Sequence, residues 1–287
     1  MSESQEWLGR SVTLRERLDP GRARAMQATL GRAPSLEQGD ALPPLWHWLY
    51  FWDTPRIDLL GADGHAEKGG FLPPIQLPYR MWAGGRLTFH RAPALGDFAE
   101  KTSTIAGIRE TEGRSGPLTF VTVRHEIADG DGSCLEEEQD IVYRGALPAS
   151  AQTSTHAPED YAWRRAVSPG PVLLFRYSAL TFNGHRIHYD QPYATGEEGY
   201  PGLVVHGPLL ATLLVDLALE EGGGKPPARF AFRALKPVFD RHAFTLAGSP
   251  GAGSPGAGRS EPGEDDRLWV ADHEGALAME ASFTPSV

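Results

Sequence analysis

The order of segments along the chain predicts an α+β fold of two units, each a helix packed on an antiparallel sheet. Two observations carry this expectation. Each half offers one apolar helix candidate and several strand-like runs, and the halves are separated by the Ala-, Ser-, Thr- and Pro-rich stretch "ALPASAQTSTHAPED", residues 146–160. The strands follow one another through turn signals instead of alternating with helices, which argues against a doubly wound parallel sheet. No GxGxxG or Walker-type loop supports a nucleotide fold either.

The first unit, 1–145, opens with helical sequence around "GRARAMQATL", followed by the apolar helix candidate "PPLWHWLYFWD". Trp46, Trp48, Tyr50 and Phe51 read as core aromatics of that helix. After the Pro- and Gly-broken "GGFLPPIQLPYRMWAGG" come the strand candidates "RLTFHRA", "KTSTIAGIRET", "LTFVTVRHEIAD" and "LEEEQDIVYRG". "GRSGP" and "DGDGS" serve as hairpin turns between them. The second unit, 161–287, starts with the apolar, strand-like "PVLLFRYSALTF". Its clearest helix is "HGPLLATLLVDLALEE", with a proline in the first turn and "GGGKPP" as its stop. Strands resume at "RFAFRALKPVF", "HAFTLAG", "RLWVADH" and "ALAMEASFT". The duplicated "GSPGA" between the second and third of these reads as a surface hairpin loop, not a repeat architecture.

Composition narrows the function. A 40% hydrophobic content over 287 residues suits a packed core, and a formal net charge of -10 without any Lys/Arg run argues against a nucleic-acid partner. The single cysteine, Cys134, excludes an internal disulfide and fits a reducing compartment. The N-terminus lacks an apolar signal core, and the apolar run Leu209 to Val215 is too short to span a bilayer, so no membrane association and a cytoplasmic protein are expected.

The densest chemistry lies in "LTFNGHRIHYD", residues 180–190. His185, His188 and Asp190, with His206 as a fourth donor, could hold a metal. The spacing differs from the helical H-E-x-x-H pattern and no cysteine pair is present, so no metal is expected. An acid–base site is the stronger reading. Gly207 opens the apolar helix, where its amide has no intrahelical acceptor, the helix dipole favours negative charge, and a missing side chain lets a carbonyl approach. An imidazole near that point can move a proton in both directions near neutral pH.

These residues, "LTFNGHRIHYD" followed by "YPGLVVHGPLL", resemble the hydratase motif of MaoC-type hot-dog enzymes. The similarity is greatest to the branch holding mesaconyl-C4-CoA hydratases, itaconyl-CoA hydratases and type 2 3-hydroxyacyl-thioester dehydratases. "PYRMWAGGRLTFHRAPALGD" resembles the N-terminal half of that branch. The resemblance covers the chain from about residue 35 onward and implies a double hot-dog fold. It also implies reversible hydration of an α,β-unsaturated acyl-CoA, with no cofactor beyond the coenzyme A of the substrate. Within it, His188 is the catalytic histidine, Gly207 the oxyanion donor and Asn183 the second catalytic position. The broader superfamily pattern has aspartate at position 183 and Asn-Pro where this chain has His185 and Arg186. An amide cannot act as a base, although its oxygen can orient a water.

Further expectations attach to the neighbours of these residues. Asp190 and His185 support the catalytic histidine, and Arg186 offers a bidentate fork to the free carboxylate of a dicarboxylic thioester. His206 borders the oxyanion position as a substrate contact or as the residue that sets the turn. Arg80 and Trp82, with His90 nearby, line the acyl pocket from a non-catalytic first unit. A branched C4-dicarboxylyl-CoA, mesaconyl-C4-CoA or itaconyl-CoA going to citramalyl-CoA, is the expected substrate, with straight-chain 3-hydroxyacyl thioesters as the alternative. A thioesterase would place a carboxylate near the helix start, which "HGPLLATLL" lacks. A non-catalytic acyl-thioester binding module is the remaining alternative. Exposed edges of paired sheets suggest a homodimer.

Overall fold

The computed structural model describes residues 3–113, 116–145, 155–251 and 265–287. Much of the 146–160 stretch and most of the "GSPGAGSPGAGRSEPGEDD" loop lie outside these residues. In chain order the elements are β1 (Ser11–Arg17), α1 (Pro20–Thr29), β2 (Tyr79–Phe89), β3 (Phe98–Gly113), β4 (Gly116–Asp129), β5 (Gly132–Arg144), β6 (Trp163–Val167), α2 (Pro171–Leu180), α3 (Gln191–Gly196), α4 (Gly207–Glu221), β7 (Pro227–Ala234), β8 (Phe244–Ser249), β9 (Asp266–Ala271) and β10 (Leu277–Pro285).

All ten strands join one antiparallel sheet in the order β1-β3-β4-β5-β2-β7-β10-β9-β8-β6. Read outward from its middle, each half has the same plan: β2, β5, β4, β3, β1 on one side, and β7, β10, β9, β8, β6 on the other. The seam is the β2–β7 pair, with Gly84 opposite Arg233 and Thr88 opposite Arg229. Two glycines permit it. A Cβ on Gly84 would run into the Phe232 carbonyl, and one on Gly85 would press on the Phe232 ring. The "MWAGG" end of the Pro- and Gly-broken stretch is therefore itself strand, the middle of β2, bulged at Ala83.

Helix α4 is apolar on every side, and Leu209 to Ala218 are all buried beneath β8, β9 and β10. Each fully buried leucine there contributes about 1.5–3 kcal/mol, enough to hold a helix whose first turn carries neither an acidic side chain nor a side-chain cap. Among the described residues the first half has no matching long helix. Its "PPLWHWLYFWD" segment forms a single 3-10 turn, Trp46–Leu49, bracketed by left-handed Leu45 (φ 69°) and Phe51 (φ 59°). Its side chains are pinned in place instead: Glu137 on β5 accepts hydrogen bonds from His47 Nε2 (3.0 Å) and Trp48 Nε1 (3.1 Å). Trp46, Tyr50 and Phe51 are buried as expected, but in an irregular segment.

Two further differences from the sequence reading are instructive. "PVLLFRYSALTF" is helix α2, not a strand. Leu174, Tyr177 and Ser178 are buried at helical spacing while Val172 and Phe175 are exposed, so its high apolar content masked a one-sided pattern. Strands β1 and β6, the sheet edges, were not visible as apolar runs: β1 is mostly polar, and β6 is only five residues long with two arginines inside it. No helix among the described residues is long and apolar enough to cross a membrane.

Candidate active site

Helix α2 ends where Phe182 turns left-handed (φ 51°) and the Asn183 amide bonds back to the Ser178 carbonyl (2.8 Å). Asn183 Oδ1 then accepts the His185 backbone N–H (3.0 Å), an Asx turn that starts the 3-10 turn Arg186–His188. This leaves one lone pair and the two N–H bonds of the Asn183 amide for other partners. The loop is zipped to the segment before α4: the Val204 amide donates to Ile187 O (2.9 Å), and His188 Nδ1 donates to Val204 O (2.7 Å).

That last bond defines the chemistry of His188. A carbonyl can only accept, so Nδ1 carries the proton and Nε2 keeps its lone pair as a base. The ring is buried, and burial holds its pKa down at about 4, outweighing the Val204 bond, which acts the other way. It stacks on His206 with centroids 3.7 Å apart. His206 is the residue just before α4, buried, with Nε2 hydrogen-bonded to Ser178 Oγ (2.8 Å). Gly207 is the first residue of α4, and a Cβ built there would meet nothing within 4 Å. The start of α4 thus leaves room for a side chain at Gly207, next in sequence to the His206 ring that stacks on His188.

The file of imidazoles extends beyond the 180–190 motif. His185 lies 5.4 Å from His188 and 4.0 Å from His65, centroid to centroid. His65 comes from a loop of the first half, where its Nδ1 is hydrogen-bonded to Asp63 Oδ2 (2.8 Å). The loop docks on the motif through Arg186 N to Asp63 O (2.9 Å) and Arg186 Nη1 to Ala62 O (3.0 Å). Gly64 (φ +86°) makes the approach possible, because a Cβ there would overlap the Gly184 carbonyl. Gly64→Ala is therefore expected to cost about 1–3 kcal/mol, read as a lower melting temperature. Asp63, His65 and His185 present ligand atoms within 4.8 Å of one another, a spacing a cation could use. The carboxylate–imidazole hydrogen bond marks Asp63 and His65 as a dyad.

Several expected roles change with this geometry. Asp190 orients neither histidine: Oδ2 accepts from Arg186 Nε (2.9 Å) and Nη2 (2.7 Å), and Oδ1 caps α3 by accepting Tyr193 N–H (3.2 Å). Arg186 is accordingly spent on Asp190 and Ala62, with its guanidinium over the Tyr193 ring, and has no free fork for a substrate carboxylate. Trp82 donates Nε1–H to Gly84 O (2.8 Å) and packs against Trp48 and Phe232 at the seam, which makes it a packing residue. His206 stacks on the His188 ring and is held by Ser178 Oγ. His90 is paired with Glu136 on the surface. Arg80 stands opposite Tyr143 on β2, and its positive charge acts on both His65 and His185. It is a cation from the first half beside the imidazole file. Asp63 and His65 were not legible in "GADGHAEKGG", where nothing local separates them from a polar Gly-rich turn.

Burial holds His65, His125, His185, His188 and His206 below the ordinary imidazole pKa. The unfolded chain takes up protons on these rings at about pH 6.5 and the folded chain only lower, so their contribution is full above 6.5 and is lost as the pH falls from there. The melting temperature should fall steadily between pH 6.5 and about 4, which a fluorimetric melt series would check.

Five antiparallel strands repeated in each half of one sheet, a buried helix under the second half, and imidazoles stacked beside that helix's start fit the acyl-thioester hydratase class of protein. The chain belongs to the hydroxyacyl-thioester dehydratase type 2 family, whose model matches residues 45–240. It is 48% identical over 247 residues to the mesaconyl-C(4)-CoA hydratase of Chloroflexus aurantiacus, covering 85% of this chain and 88% of that one. It is 30% identical over 228 residues to the mitochondrial hydroxyacyl-thioester dehydratase type 2 of Schizosaccharomyces pombe, covering 69% and 75%. A Mycobacterium tuberculosis protein described as a double hot-dog fold superposes with a TM-score of 0.58 at 14% identity, over 96% of this chain and 95% of that one. The fold is the double hot dog.

Proposed function

We propose that this protein reversibly hydrates a branched C4-dicarboxylyl-CoA, with mesaconyl-C4-CoA going to citramalyl-CoA as the leading case. The observation that carries the reading is the fixed tautomer of His188, whose Nε2 is a free base close to the start of α4. In hydration His188 Nε2 takes a proton from water while the water oxygen bonds to the β-carbon. The electron pair moves to the thioester oxygen, where the Gly207 N–H and the helix start stabilise the enolate. The proton then passes from His188 to the α-carbon, and the base is regenerated. Asn183 holds the water with the amide capacity left by its turn.

The free carboxylate of a C4-dicarboxylic thioester sits on the carbon that water attacks, so its partner must lie close to His188. Arg80 is the cation we assign to it, since its field already reaches His185 and His65. Itaconyl-CoA is the second substrate proposed. Its double bond is not conjugated with the thioester and would have to migrate before an enolate could form. The chemistry calls for no cofactor beyond the coenzyme A of the substrate, because base, water holder and oxyanion donor are all groups of the chain. A thioesterase is disfavoured by α4, whose first acidic residue, Asp216, is ion-paired with Arg32 (2.9 Å). A cytoplasmic setting fits the lone, buried Cys134, and pairing at the exposed edges β1 or β6 would give the homodimer we expect by light scattering.

The test follows enoyl-thioester absorbance with mesaconyl-C4-CoA, itaconyl-CoA and crotonyl-CoA. Preference for a dicarboxylic substrate, with Arg80→Met raising its KM far more than that of crotonyl-CoA, supports the assignment. Preference for crotonyl-CoA would favour the straight-chain 3-hydroxyacyl-thioester alternative instead. If no thioester changes, the binding-module reading takes over.

A further inference from the structure

The proposed reaction leaves one problem open. While His188 holds the proton taken from water, a buried file of imidazoles carries a positive charge, and the motif loop offers no carboxylate to balance it. Asp190 is already committed to Arg186 and the Tyr193 amide. The first half supplies the missing charge. Asp63 grips His65 at two points, Oδ1 accepting its backbone N–H (3.0 Å) and Oδ2 its Nδ1–H (2.8 Å), which fixes the ring and leaves Nε2 bare. From there the rings step 4.0 Å to His185 and 5.4 Å to His188. The loop is held in register with the motif by Arg186 and by the Gly64–Gly184 contact.

Resting on the hydratase reading, we propose that Asp63 and His65 are positioning residues of the active site, holding His185 against His188 and supplying the carboxylate that stabilises the imidazolium formed when water is deprotonated. No bond to substrate is made by either residue. The proton leaves water for His188 Nε2 and returns from it to the α-carbon, and the pair lowers the cost of the interval between the two transfers. The other charged groups around the file are Arg80, which opposes a proton on His65 and His185, Glu198, which favours one on His65, and Lys68, which lies beside Arg80 and Asp63; His65 would itself oppose a proton on His188 if charged, and burial holds it neutral.

The test uses the full-length protein with Asp63→Asn, Asp63→Glu and His65→Gln. Asp63→Asn is expected to lower kcat roughly 10–100-fold, one to two pKa units of lost charge stabilisation, with KM changed less than about threefold. Its acid limb should move to lower pH, because a proton on the rings is now disfavoured. Asp63→Glu should restore most of kcat, and Asp63→Asn added to His185→Gln should cost little more than His185→Gln alone. A change in KM or melting temperature with kcat and the acid limb untouched would reduce the pair to a docking contact and overturn the proposal. Stoichiometric metal in the purified protein, with activity lost to a chelator, would overturn it too. His65→Gln, which cannot carry the charge, gives the same comparison if Asp63→Asn fails to fold. Imidazole NMR titration without substrate separates the two readings: a lowered His185 pKa in Asp63→Asn keeps the pair even if wild type hydrates no thioester, and an unchanged one removes it.

Discussion

Replacing His188 by alanine is expected to lower kcat for the preferred enoyl thioester by about 10²–10⁴, the range for loss of a positioned general base. The effect should fall on kcat more than on KM, because the imidazole acts on the water and the α-carbon and not on the coenzyme A. The wild-type pH profile belongs to the same prediction. The neutral ring is the active form, and burial lowers its pKa to about 4. The acid limb should therefore lie near pH 4, well below the 6.5 of an exposed imidazole, with a flat response through neutrality. An acid limb near 6.5 that survives in His188→Ala would place the base elsewhere. A melt of the variant controls for the lost Val204 bond and the lost His206 stack.

Placing a branched side chain at Gly207 is the second large effect. A Cβ there meets nothing within 4 Å, so Gly207→Val should fold with a near-normal melting temperature while filling the space a thioester oxygen would use. Loss of one oxyanion donor typically costs about 10²–10³ in rate, and kcat/KM should fall at least that far. Gly207→Ala should lie between wild type and valine. If both variants hydrate substrate at the wild-type rate, the enolate oxygen binds at another amide and the role given to the start of α4 is wrong.

The contrast between these two positions and the rest of the site shows how sequence and structure divided the work. His188, Asn183 and Gly207 were legible because they are close in sequence: a short loop, helix α3 and the start of α4 lie within 25 residues. Helix α4 was equally plain, since an all-round apolar run with Pro at its start has few other solutions. Helix α2 was missed because apolar content alone does not distinguish a strand from a one-sided helix. The expected helix at 43–53 shrank to one turn because His47 and Trp48 bond to Glu137, about 90 residues away.

The sequence by itself determined the α+β class and helix α4, which depend on local spacing and apolar periodicity, and its resemblance to the family singled out His188 and Gly207 as the base and oxyanion donor proposed above. Only the tertiary structure decided how the charged groups pair. It gave Asp190 to Arg186, put Trp82 into the seam, and brought Asp63 and His65 across some 120 residues to stand beside His185. The physical reason is that a charge or a ring nitrogen takes its role from whatever lies within a few ångströms of it in a low-dielectric interior. Sheet register and loop docking set those distances.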